Sequence, residues 1–160
     1  MKSRLQTLLI CIAIPLITGA ISGFLSNGSM QTFQKLKKPP FAPPGYLFPI
    51  VWTVLYTLMG ISSFLIYTSG KKQKNIHDAL TLYFVQLAVN FFWSIFFFQF
   101  EWYLFSFFWL VFLWILIVKM IVAFSQISKQ AALLQAPYLL WVTFAGYLNF
   151  FIYIENTFVA

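Results

Sequence analysis

The chain has 160 residues, 61% of them hydrophobic, 22% aromatic and only 8% charged, with a mean hydropathy of +0.84 and a formal net charge of +7. A water-soluble domain of this size has no means of hiding so much apolar surface, so the composition describes one polytopic membrane domain with lipid as its outer solvent. The ten Lys and Arg residues fall mostly between apolar runs. They orient the protein against anionic lipid and membrane potential rather than forming a stripe for nucleic acid.

The first apolar span, about 5–24, follows Lys2 and Arg4. Those flanks also suit a secretory signal, with Thr18, Gly19 and Ala20 as the small residues of a cleavage site. Pro15 is expected to kink or loosen this helix, and Gly19 and Gly23 form a small-xxx-small pair that permits close backbone approach. Cys11 has no second cysteine to pair with. With one His, one Cys and three acids in the whole chain, a metal cluster or a hydrolytic constellation has too few parts, and no metal site and no obligatory cofactor are expected.

Residues 26–45 form a long connection rich in Lys and Pro, the kind of loop that folds over a pocket mouth. Pro39, Pro40, Pro43 and Pro44 keep it extended or turning. The second span, about 46–68, has no formal charge and the length to cross a hydrocarbon core. Trp52 and Tyr56, four residues apart, share one of its faces. A basic loop, GKKQKNIHD from Gly70, leads to the third span, about 79–100, where Asn90, Trp93, Ser94 and Phe97 follow helical spacing on one face. Glu101 occupies a very short turn before the fourth span, about 103–125. In the fifth, about 133–154, Trp141, Ala145 and Asn149 recur every four residues.

The expected fold is therefore all-α, an integral membrane five-helix bundle in a single domain over 1–160. Lys2, Arg4, Lys71, Lys72, Lys74, Lys119 and Lys129 lie on one side and Lys35, Lys37 and Lys38 on the other, which predicts a cytoplasmic N-terminus and an external C-terminus. If the marked faces of spans two, three and five converge, they enclose an aromatic cavity suited to a flat, apolar ligand. Trp52, Trp102 and Tyr103 also suit interface belts, and Asn90 and Asn149 also suit interhelical glue.

Three stretches, PPFAPPGYLFPIVWTVLYTLMG from Pro39, NFFWSIFFF from Asn90 and PYLLWVTFAGYLN from Pro137, resemble in order and spacing the signature of the translocator protein family, also called tryptophan-rich sensory proteins. The resemblance implies a receptor or sensor for tetrapyrroles such as protoporphyrin IX and haem, and for benzodiazepine-like ligands. The matching pocket positions are Pro43, Pro44, Phe48, Trp52, Tyr56, Asn90, Trp93, Ser94, Trp141 and Ala145. It implies retention of the first span, a homodimer, and, in some members, light-dependent porphyrin breakdown, for which Trp52 and Trp141 would be the indoles concerned. A small transporter or scaffold is the remaining alternative. Two departures stand out. Phe33 lies near the first-loop lysines without an accompanying Trp, and no Lys or Arg follows Tyr147, so the cholesterol-recognition pattern of animal members is missing. A bacterial cell-membrane protein is the expectation.

Overall fold

The computed structural model of the chain describes residues 3–27 and 30–158, with Met30 described in its backbone alone. Lys2 and two loop residues, Gly28 and Ser29, thus lie outside the described residues. The described elements are helical: α1 (Arg4–Ser26), α2 (Met30–Lys35), α3 (Leu47–Tyr67), α4 (Gln73–Ser94) continuing into a π-helical turn (Ile95–Gln99), α5 (Tyr103–Ile127), α6 (Lys129–Leu134) and α7 (Ala136–Thr157). Five stretches are long and apolar enough to cross a membrane, with α4 plus its π turn making the third and α6 plus α7 the fifth. The chain is a multi-pass integral membrane helical bundle.

Local sequence explains where the helices begin and bend. Ser3 and Gln6 form a reciprocal capping box at the start of α1, each side chain bonding the other's backbone N–H at 3.1 and 3.0 Å. Pro15 sits inside α1 without ending it. Because proline has no N–H, the carbonyl of Cys11 one turn earlier has no intrahelical donor. That oxygen lies against Gly60 of α3, where a β-carbon would come within 2.7 Å of it and would also meet the Ile12 backbone. Only hydrogens fit there. Helix α4 starts at Gln73, several residues before the apolar run does, because a charged helix end is stable in headgroups and water. Glu101 alone among the described non-glycine residues has a positive φ, 57°, which reverses the chain in the short turn to α5.

Around the bundle, α1 packs on α3 and α4, α4 on α5, α5 on α6 and α7, and α3 on α6. The spans therefore run in the order first, second, fifth, fourth, third. Met59, Ile66, Leu113, Ile117, Met120 and Phe124 are fully buried in the middle of this ring. The outer faces are apolar too: Leu9, Ile17, Phe24, Phe108, Phe112 and Leu140 are exposed, as lipid-facing residues should be. The end where α1 finishes and the long connection begins is called the loop end below.

Candidate functional site

Between α1, α3 and α4, near the loop end, lies a cavity of about 570 Å³. Its α3 wall carries Phe48, Trp52, Thr53 and Tyr56, and its α4 wall carries Asn90, Trp93 and Ser94, with Phe98 from the π turn. Trp52 stacks on Tyr56 with ring centroids 5.3 Å apart, an i, i+4 pair that lays two aromatic faces along one side. Trp93 stacks on Phe97 at 5.5 Å and meets Phe98 edge-on at 6.1 Å. The wider π turn is what lets residues four and five positions on both reach Trp93.

The third wall is α1. Leu16, Gly19, Ser22, Gly23 and Ser26 all line the cavity, and four of them follow i, i+3, i+4, i+7 spacing from Gly19. The two glycines do different things. A β-carbon on Gly19 would collide with the Tyr56 ring, so that glycine makes room for an aromatic wall. Nothing lies within 4 Å of a β-carbon on Gly23, which opens directly on the cavity. Ser22 donates to the Phe91 carbonyl at 3.1 Å and also bonds the Ser94 hydroxyl, tying α1 to α4 across the back of the site. Sequence reasoning passed over this wall, although a stripe of Gly and Ser at helical spacing in an otherwise lipid-facing helix is the signal that marks it.

Polar groups are few and mostly engaged. Asn90 is buried, and its side-chain amide donates to the Tyr56 hydroxyl at 3.1 Å, which fixes the cavity floor. Asn149 lies outside the cavity. It accepts from the Trp93 indole N–H at 3.2 Å and donates to the Tyr103 carbonyl at 2.7 Å, so it holds the Trp93 ring in place and joins α4, α5 and α7.

Of the sequence-marked residues, Phe48, Trp52, Tyr56, Asn90, Trp93 and Ser94 come together around the cavity. Pro43, Pro44, Trp141 and Ala145 are not among its lining residues. Trp141 packs edge-on against Phe48 at 5.7 Å and borders a separate groove between α3 and α7, with Ile50, Val54, Pro137 and Leu140. Phe48 stands between it and the cavity. Ala145 is buried within the bundle, Pro44 is exposed and Pro43 is half-buried. Convergence of the fifth span with the other two gives way to α1 because α3 meets the fifth span mainly through α6, and α1 fills the opposite gap.

The long connection caps the bundle through Phe33, buried against Phe48, Phe97 and Phe98 with centroids 5.4 to 6.1 Å apart. The Lys38 ammonium sits 4.5 Å over the Phe33 ring. Asn156 near the end of α7 accepts from the Lys37 N–H and donates to the Lys37 carbonyl, both at 3.1 Å, which pins this loop to the C-terminal helix. Among the described residues no group of His, Cys, Asp and Glu is placed to hold a metal ion. His77 Nδ1 lies 3.6 Å from the Asp78 carboxylate, and both side chains are exposed.

Together the helical bundle and the aromatic intramembrane cavity describe a five-span membrane protein. The comparisons narrow this. Residues 11–154 match the model of the TspO/MBR family. The chain is 39% identical over 151 residues to the tryptophan-rich protein TspO of Chlorobaculum tepidum, covering 94% of this chain and 96% of that one. It is 37% identical over 142 residues to the protein of the same name from Archaeoglobus fulgidus, covering 88% and 91%. With the translocator protein of Bos taurus it shares 32% over 145 residues, covering 89% and 86%. The chain belongs to the TspO/MBR family.

Proposed function

We propose that the protein is a membrane receptor or sensor that binds flat tetrapyrroles, protoporphyrin IX or haem, and benzodiazepine-like ligands in the α1–α3–α4 cavity. The observation that carries this reading is the cavity itself: about 570 Å³, inside the range of roughly 300–1,000 Å³ typical of ligand sites. Its indole and phenol faces come from Trp52, Tyr56 and Trp93, with Asn90 as an orienting amide. Aromatic walls favour a planar conjugated ligand by stacking and by excluding water. Carboxylates on such a ligand stay near the loop-end surface, within the field of Lys35, Lys37 and Lys38, where each exposed pair adds only about 0–1 kcal/mol. The excess of basic residues at the other end supports a cytoplasmic N-terminus in a bacterial membrane. A homodimer belongs to the same reading.

Titration of free-base porphyrin into the detergent-purified protein, followed by porphyrin absorbance, tests the site. Trp52→Leu is expected to weaken binding about tenfold, or about 1.4 kcal/mol, through lost stacking, and Asn90→Ala to weaken it as well, whereas Trp141→Phe leaves it unchanged. Linear, unsaturable uptake, or equal affinity in all three variants, sinks the assignment. Light-dependent breakdown of the bound porphyrin is the second reading. Trp52 is the indole that borders the cavity, so under illumination Trp52→Phe should bind porphyrin without consuming it.

A further inference from the structure

Below the cavity floor the bundle contains polar side chains that the ligand site does not use. On α4, Tyr83 and Gln86 continue inward the face that carries Asn90 and Trp93, at i, i+3, i+7 and i+10. Both are almost completely buried, at 1% and 0% exposure, as are Tyr138 at 1% and Gln135 at 0%. The Tyr138 hydroxyl donates to Gln86 Oε1 at 2.7 Å. Among the described residues Gln86 Nε2 and both polar atoms of the Gln135 side chain have no hydrogen-bond partner, and the Tyr83 hydroxyl, with Ser63 as its polar neighbour, has none in good geometry.

The unpaired groups lie on or next to the bonded pair along the chain. The third and fifth spans run in the same direction, and Tyr83 and Gln135 each precede the bonded pair, Gln86 and Tyr138, by three residues on their own helices. Each therefore lies on the far-end side of its bonded neighbour along the chain. In a membrane interior there is no bulk water to satisfy such groups. Leaving them unpaired is costly. An ordered water with two to four polar partners removes that cost, and polar sites of this kind hold water where apolar ones stay dry.

We propose that Tyr83, Gln86, Gln135 and Tyr138 form an internal water-binding site in the bundle core. The cavity is then the upper part of a longer polar column, and the Asn90–Tyr56 pair is the boundary between its ligand-accommodating and hydrated parts. The site does not depend on what the cavity binds. Ser62, which donates to the Ala131 carbonyl at 2.7 Å, ties α3 to α6 near the same end and shows that neighbouring polar groups there are directly paired.

Radiolytic hydroxyl-radical labelling of the full protein in nanodiscs tests this, because bound water generates radicals in place and oxidises the side chains beside it. Tyr83 and Tyr138 are expected to be labelled in the wild type despite their burial, while Phe124, fully buried and stacked near Tyr83, is labelled far less. In Gln86→Leu/Gln135→Leu the labelling of both tyrosines is expected to fall to the Phe124 level, read on the same residues so that intrinsic reactivity cancels. Should that variant not fold, Gln135→Met, unbranched and similar in length, takes its place. Absence of labelling at Tyr83 and Tyr138 in the wild type overturns the proposal without any variant. So does labelling that is the same in wild type and variant, or a high-resolution structure in which the two glutamine amides bond each other with no water between them.

Discussion

The same two helices, α1 and α3, are in backbone contact at one end and walls of a cavity at the other. Toward the far end Gly60 lies so close to Cys11 and Ile12 that a β-carbon has no room. Toward the loop end Gly23 faces open space. One helix pair thus works as a wedge, and glycine is required at its apex for contact while at its mouth it leaves volume unfilled. The difference teaches that a small residue in a membrane helix carries no fixed meaning until its neighbour is known.

The apex is the place to break the wedge. Gly60→Ala should cost about 3 kcal/mol through overpacking against backbone that cannot move aside, read as a large fall in the thermal midpoint of the detergent-solubilised protein. Asn149→Leu comes next. It leaves the Trp93 indole N–H unpaired inside the bundle and removes the second bond to the Tyr103 carbonyl, at about 2 kcal/mol, and frees the Trp93 ring, so ligand affinity and thermal midpoint should fall together. Asn156→Ala acts on the loop end alone. Faster hydrogen exchange at the Lys37 amide, corresponding to about 1 kcal/mol of easier local opening, should appear with no change at the buried α3 amides. Gly23→Leu is the smallest in stability, within about 0.5 kcal/mol, yet it fills the mouth and should abolish ligand binding. If Gly23→Leu were as destabilising as Gly60→Ala, the two ends of the helix pair would not differ as described.

Much of the fold was legible because the bilayer imposes its own length on each apolar run. Helix ends were less so: the start of α4 at Gln73 shows that charge marks where hydrocarbon stops, not where the helix does. Within the site, the faces of α3 and α4 followed from spacing, and Asn90 met Tyr56 across them. The direction in which a face points was not available from spacing. Trp141, Ala145 and Asn149 share a repeat, but Phe48 separates Trp141 from the cavity. The α1 wall was read as packing because Gly19 and Gly23 look alike in a sequence, and only the Tyr56 ring tells them apart. Phe33 was noted for the Trp missing beside it, whereas its position makes it the plug of the loop end.

The π turn at Ile95–Gln99 holds one more residue than an α-helical turn would. Deleting a single residue there need not unfold α4; it would tighten the turn to α-helical winding with the chain beyond it kept in register, leaving one ring instead of two in reach of Trp93. The breadth of the aromatic wall is therefore inherited as a matter of chain length as well as of residue identity, and a one-codon deletion in this stretch would reshape the site as much as replacing one of its aromatic residues.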